Sequence, residues 1–238
     1  MSAVILWDID GTLIRSKGGR VSLTAFIVAL KQVAQHRTDF AYPTDAGGKT
    51  DEQIALEVLA LAQIAEHRAL ELLSDFREAY RIELERQQEA LVGDLRVLPG
   101  VRETLSALQA RGVVQSLLTG NLESIARLKL ACVGLDRYVD FELGAFGSDH
   151  RDRTCLVPIS RNRIRLKTGQ APENVVVIGD TPRDVACARA GGAIAVAVAT
   201  GLHTREQLEA TGADLVLDDL CDGLHQLENL LGVASAIQ

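Results

Sequence analysis

The stretch Val4-Ile5-Leu6-Trp7-Asp8-Ile9-Asp10-Gly11-Thr12-Leu13 decides the fold. Its opening run is short and apolar and is followed by aspartates and a glycine, which reads as a buried strand. Asp8 and Asp10 then stand at the strand's carboxyl end or just past it. In open α/β sheets that edge is where ligands bind. Residues two apart share a strand face, and a turning backbone can bring both carboxyls towards one point. Two carboxylates held that close repel, so they call for a cation or a shared proton. Mg2+, a hard ion with oxygen ligands, meets that need. An ordinary strand-to-turn exit also uses Asp and Gly, so the downstream chain must separate the two readings.

Two more apolar runs end the same way. Residues 113–118 lead into Thr119-Gly120-Asn121, and Val175-Val176-Val177-Ile178 leads into Gly179-Asp180-Thr181-Pro182-Arg183-Asp184. From Leu98 onward, helical and strand patterns alternate: helices over 99–110, 122–132, 154–167, 182–190, 204–210 and 220–231, and further strands over 194–198 and 215–217. That alternation predicts a parallel sheet with helices on both faces. Its strand ends lie on one edge, so the three polar motifs converge there. Between Val21 and Leu91 only helical spacing occurs, as in Leu23, Phe26, Ile27 and Leu30 or Leu72, Phe76 and Tyr80, with a loop over 38–51. The predicted architecture is α/β: a doubly wound, Rossmann-like core (residues 1–14 and 98–238) with an inserted all-helical cap domain (residues 15–97).

Composition narrows the function classes. The 238 residues suit one large domain or a domain with an insertion. A net charge of −7 argues against a dedicated nucleic-acid binder. No apolar run is long enough for a membrane span, and the residues before Asp8 do not resemble a signal peptide. Cys132, Cys155, Cys187 and Cys221 are widely spaced without a C-x-x-C pair, as expected for free thiols in the cytoplasm.

The motifs Asp8-Ile9-Asp10-Gly11-Thr12-Leu13, Leu118-Thr119-Gly120-Asn121 and Gly179-Asp180-Thr181-Pro182-Arg183-Asp184 resemble those of the haloacid dehalogenase-like superfamily, in its phosphatase branch. Leu98-Pro99-Gly100-Val101 is similar to that family's return from its helical cap, and the layout is that of the phosphoglycolate phosphatase-like group. The resemblance implies an Mg2+-dependent phosphatase acting on a small phosphorylated metabolite, with a phosphoglycolate-type substrate favoured by layout alone. It implies that Asp8 is the nucleophile, forming an aspartyl phosphate. Asp10 would protonate the leaving oxygen and later activate water. Mg2+ would be held by Asp8, the backbone carbonyl of Asp10 and Asp180, with Asp184 assisting. The Thr119 hydroxyl and the backbone amide of Gly120 or Asn121 would hold phosphate oxygens. The family's usual lysine before the helix preceding the Asp180 strand is missing; Arg153, in preference to Arg151, would supply that charge. Lys49, in the loop Gly48-Lys49-Thr50-Asp51, would face substrate from the cap, or stand as a solvated loop lysine.

Several features have plainer readings. Gly47-Gly48-Lys49-Thr50 is not a P-loop, because Pro43 stands where its first glycine belongs and no buried strand precedes it. Arg161, Arg163, Arg165 and Lys167 read as a solvated helix, His150 as a surface residue and Trp7 as core packing. Two alternatives share the fold. A sugar-phosphate mutase would carry a histidine soon after the first motif, whereas the nearest here is His36; a non-catalytic phosphate-binding relative would explain the missing lysine but not the intact aspartates. A monomer or a homodimer is expected, without membrane or nucleic-acid partners.

Overall fold

A computed structural model describes residues 3–35 and 40–232; His36 and the first residues of the loop predicted from position 38 lie outside the described residues. In chain order the elements are β1 (Ala3–Trp7), β2 (Ile14–Ser16), α1 (Val21–Ala34), α2 (Asp51–Leu61), α3 (Glu66–Arg86), α4 (Gln88–Asp94), β3 (Leu95–Val97), α5 (Val101–Ala110), β4 (Val114–Thr119) and α6 (Glu123–Val133). They continue with β5 (Ala145–Phe146), α7 (Leu156–Thr168), β6 (Asn174–Gly179), α8 (Pro182–Ala190), β7 (Ile194–Val198), α9 (Arg205–Glu209), β8 (Leu215–Leu217) and α10 (Gly223–Leu231).

Six strands form a parallel sheet in the order β5-β4-β1-β6-β7-β8. β1 lies between β4 and β6, with Leu6 opposite Ser116 on one side and Val177 on the other. From β4 the chain winds outward to β5, and from β6 it winds the other way to β7 and β8. The order therefore reverses beside β1, and such a reversal opens a crevice at the carboxyl ends of the strands. Alternate side chains of β1 feed two cores, as a period of two requires. Ile5 and Trp7 pack with Leu105 and Leu108 of α5 and Ile125 and Leu130 of α6. Val4 and Leu6 pack with Leu156 and Ile164 of α7 and Val185 of α8. Trp7 is fully buried, and its indole N–H donates to Gln115 Oε1 at 3.2 Å, so the ring's one polar atom is satisfied.

Helices α1 to α4 form a helical layer in which α1 lies along α3, with a core of Phe26, Leu30, Phe76 and Tyr80. The segments that lead into and out of this layer pair as an antiparallel ribbon, β2 with β3, Arg15 opposite Arg96. Sequence analysis assigns no strand to either segment. Three residues carry no visible period, and the partner strand arrives only after the whole insertion. The short β5 escaped for the same reason: Ala145 and Phe146 form a strand only because Leu118 and Thr119 of β4 are beside them. Helix boundaries also move: α5 begins after Gly100 (φ 74°) instead of at Pro99, α7 at Leu156 instead of position 154, and α10 at Gly223 instead of position 220. Within the insertion, α3 and α4 are separated at Gln87. Among the described residues no helix is long and apolar enough to cross a membrane, and all four cysteines are free.

Candidate active site

The crevice beside β1 gathers all three motifs. At its carboxyl end Asp8 still bonds β6, its N–H donating to Ile178 O at 2.8 Å. The chain then turns sharply: the N–H groups of Leu13 and Ile14 both return to Ile9 O. Gly11 takes φ 91°, and a side chain there would strike the Asp180 carboxylate. The turn carries Thr12 to Asp180, where its hydroxyl donates to Oδ1 at 3.1 Å. At the head of α8, Thr181 and Asp184 form a reciprocal cap, Asp184 Oδ2 accepting from the Thr181 N–H at 2.9 Å and its hydroxyl at 2.7 Å.

Asp8, Asp180 and Asp184 are buried, and one oxygen of each lies within 4.8 Å of the others. The strongest counter-charge is Arg153, buried in the turn before α7. Its Nη2 lies 3.0 Å from Asp8 Oδ1 and also bonds Asp184 Oδ1, while Nη1 donates to Gly48 O at 3.0 Å. Arg151 is exposed; its carbonyl accepts from the Thr50 hydroxyl and its charge acts on Glu52. Three carboxylates against one guanidinium leave the cluster acidic. Burial raises the Asp8 carboxyl to about 7, with Arg153 opposing and Asp184 and Asp10 adding repulsion. Burial, then repulsion from Asp8 and Asp184, raises Asp180 to about 8. A buried, oxygen-only donor set with surplus negative charge fits a hard divalent cation. Both oxygens of Asp184 already have partners, so it suits holding Arg153 and the loop in place better than direct ligation.

Asp10 points the other way. Its Oδ2 accepts from Asn121 Nδ2 at 2.8 Å and from Lys129 Nζ at 2.7 Å, and Lys129 also donates to Asn121 Oδ1 at 2.7 Å. Burial acts to raise this carboxyl, but the charge and hydrogen bond of Lys129, joined by Asn121, outweigh it and hold Asp10 below the usual carboxylate range. Thr119 is buried, and its oxygen accepts from Asn121. Among the described residues its hydroxyl proton and the Gly120 amide have no acceptor, leaving two donors at the strand end.

Lys129 was missed by sequence reasoning, which sought the family's lysine only near Arg153. The signal was present. Lys129 follows Ile125 by four residues on the buried face of α6, and a cation there needs an anionic partner. Replacing Lys129 by methionine is expected to lower kcat by about tenfold to a hundredfold. It also removes the charge that depresses Asp10, so the basic limb of the kcat/KM profile, set by the proton Asp10 must carry to donate it, should move to higher pH. An unmoved limb would detach Lys129 from Asp10.

The loop from the helical layer is seated on the same edge. The Asp51 N–H donates to Gly120 O at 2.8 Å, and Asp51 Oδ2 accepts from the Leu122 N–H at 2.8 Å. A side chain at Gly120 would strike the Lys49 carbonyl, so only glycine allows this seating. Lys49 lines the cavity between layer and sheet, but its ammonium is held by Asp45 at 2.9 Å and Glu57 at 2.8 Å. His150 is exposed and bonds within its own loop.

Residues 3–192 match the family model of the haloacid dehalogenase-like hydrolases. "Probable phosphatase IndB" of Dickeya dadantii is 27% identical over 239 residues, which cover 99% of this chain and 98% of that protein. A phosphoglycolate phosphatase of Synechococcus elongatus is 28% identical over 228 residues, 95% of this chain and 98% of its own. The crystal structure of a hydrolase from Pseudomonas syringae matches the fold with a TM-score of 0.64 at 22% identity, covering 96% of this chain and 99% of that one.

Proposed function

The chain belongs to the haloacid dehalogenase-like hydrolases, and on that premise we propose that it is a phosphoric monoester hydrolase that works through covalent catalysis at Asp8. The observation that carries the reading is the pairing of Asp8 with a buried arginine and two further carboxylates at the reversal point of the sheet. A carboxylate there has a cation to steady it and an open cavity in front of it.

In the first half-reaction an Asp8 oxygen attacks phosphorus, and the bond from phosphorus to the alcohol oxygen breaks. Asp10 gives that oxygen its proton. At rest Asp10 is a carboxylate paired with Lys129; a dianionic phosphate arriving beside it raises its affinity for a proton. In the second half-reaction Asp10 takes a proton from water as the water attacks phosphorus, and Asp8 is released with inorganic phosphate. The Thr119 hydroxyl and the Gly120 amide hold phosphate oxygens, and Asn121 keeps Asp10 and Thr119 in register. Arg153 steadies Asp8 and ties it to the Gly48 carbonyl. Mg2+ fits the donor set, with Asp8, Asp180 and the Asp10 carbonyl as its holders and Asp184 behind them. When bound, it would let an anionic phosphate approach an anionic nucleophile. Residues 15–97 act as the cap that shields this chemistry, and a cytoplasmic setting suits the free cysteines. The substrate is a small phosphorylated metabolite; phosphoglycolate, named for the Synechococcus relative, is the reference compound.

Acid quenching during turnover of para-nitrophenyl phosphate with Mg2+ is expected to trap one phosphoryl group on Asp8, and a chelator should stop turnover. Undiminished phosphate release in chelator, or a label on another residue, would refute the proposal. Proton linkage gives a second check. Without the ion, Asp8 and Asp180 hold protons up to about 7 and about 8, and Mg2+ must displace them. With two protons displaced, affinity for Mg2+ should rise by up to about a hundredfold per pH unit below about pH 7 and by up to about tenfold per unit between about pH 7 and pH 8. Calorimetry in buffers of different ionisation enthalpy should show proton release; binding that is independent of pH would place the ion elsewhere.

A further inference from the structure

The cavity that Asp8 lines has a volume of about 440 Å³, and Phe26, Tyr42 and Tyr80 line it too. Phe26 stands edge-on to Tyr42 (centroids 6.0 Å, planes at 83°) and to Tyr80 (5.4 Å, 80°). Phe76 stacks behind Tyr80 at 5.7 Å and fixes the ring. Tyr80 is 3% exposed, lines the cavity, and has no hydrogen-bond partner for its hydroxyl among the described residues; neither has Tyr42. The Tyr80 hydroxyl is not sealed from solvent, so inside the cavity it can be met by water or by a ligand.

The charged groups of the cavity are largely engaged within the protein. Lys49 is paired with Asp45 and Glu57, Lys129 with Asp10, and Arg153 with Asp8 and Asp184. Arg15 is bonded to the Thr200 and Gly201 carbonyls, Asp94 to Ser16 and the Gly19 amide, and Asp51 to the Leu122 amide. Arg20 also lines the cavity, but it is exposed, where a charge contributes little to binding a second anion. His203 also lines the cavity, with a buried Nδ1 that has no partner among the described residues. The aromatic part of the lining offers a leaving group chiefly the exposed ring of Tyr42, backed by Phe26 and Tyr80, with two phenolic hydroxyls.

We infer that Phe26, Tyr42 and Tyr80 form a leaving-group subsite, and that the substrate is a phosphomonoester whose alcohol carries an uncharged aromatic ring with a polar edge. This rests on the phosphatase reading above and departs from phosphoglycolate, whose two-carbon acid would leave the aromatic wall uncovered and its own carboxylate without a buried cation. A ring entering the cavity replaces water against Tyr42 and Tyr80 and meets them in the edge-to-face or offset geometry that aromatic pairs prefer.

Non-hydrolysable phosphonates separate the subsite from the chemistry. In the Mg2+-loaded protein, benzylphosphonate is expected to bind about thirtyfold more tightly than methylphosphonate. Tyr42 is 38% exposed, so Tyr42→Ala should fold; in it the affinity ratio should fall about tenfold. Phosphonoacetate or 2-aminoethylphosphonate binding more tightly than benzylphosphonate would overturn the subsite, as would equal affinities for the benzyl and methyl compounds. Turnover of benzyl phosphate is read in parallel. Turnover with no benzyl preference in binding defeats the subsite and leaves the hydrolase standing. The expected binding order without any turnover defeats the hydrolase reading and leaves the subsite standing.

Discussion

Replacing Asp8 by asparagine is expected to lower kcat by about four orders of magnitude while leaving the fold intact. The amide has the size of the carboxylate but no lone-pair charge with which to attack phosphorus, and no other side chain in the crevice is placed to substitute. Asp10 is turned towards Lys129 and Asn121, and Asp180 is held by Thr12. Stability should move in the opposite direction to activity. Burial, opposed by Arg153 and reinforced by Asp184 and Asp10, leaves Asp8 raised to about 7, so its ionised form is the unfavourable one in the folded state. The folded protein binds more protons than the unfolded chain from about pH 4 to about pH 7. The stabilisation linked to that proton is present below the unfolded value and is lost as pH rises through the folded one. In the metal-free protein at about pH 8, Asp8→Asn should therefore unfold at a higher temperature than the native sequence. Thermal scans in chelator, beside steady-state kinetics in Mg2+, give both readings. Activity within about tenfold of native would remove Asp8 from the chemistry, and a lower Tm would show that the acidic cluster is not under repulsion.

Replacing Arg153 by methionine should have the largest cost to stability. Arg153 is 6% exposed and is shared by Asp8, Asp184 and the Gly48 carbonyl. Methionine fills much of the volume but leaves two buried carboxylates facing each other without a cation. Removing one partner of a buried ion pair typically costs about 3–5 kcal/mol. For a domain of this size that corresponds to roughly 10 °C in Tm. Turnover should fall as well, because the guanidinium both steadies Asp8 and anchors the Gly47–Asp51 loop. Arg153→Lys keeps the charge but cannot reach Asp8, Asp184 and Gly48 O together, since one ammonium replaces a planar fork. It should recover much of the stability and less of the activity. If the methionine variant melts with the native protein, Arg153 is not the counter-charge of the cluster.

The core of this architecture was legible because its strands are buried on both faces. Val4 to Trp7 and Val175 to Ile178 can only be read as interior strands, and the aspartates beyond them stand where the run of apolar residues ends. A helix 14 residues long such as α1 repeats its period often enough to be recognised. Elements of two or three residues do not. β2, β3 and β5 exist because a distant segment supplies their hydrogen-bond partners, and nothing local announces them. The same contrast runs through the site. Arg153 could be named from its place before α7, but its preference over Arg151 is decided by which side chain the turn directs inward.

The parallel α/β core, the helical insertion and the polar motifs at three strand ends, two of them carrying carboxylates, could be read from the chain alone, because burial periodicity and strand-end chemistry are local properties. The distribution of the cations came with the closed fold: Lys129 to Asp10, Arg153 to Asp8 and Asp184, and Lys49, although it lines the cavity, to Asp45 and Glu57. The same closure set three rings of the insertion in the cavity that the nucleophile lines. Charge pairing and cavity shape depend on residues brought together across long stretches of chain, and their distances exist only once the sheet and the helical layer have closed on each other.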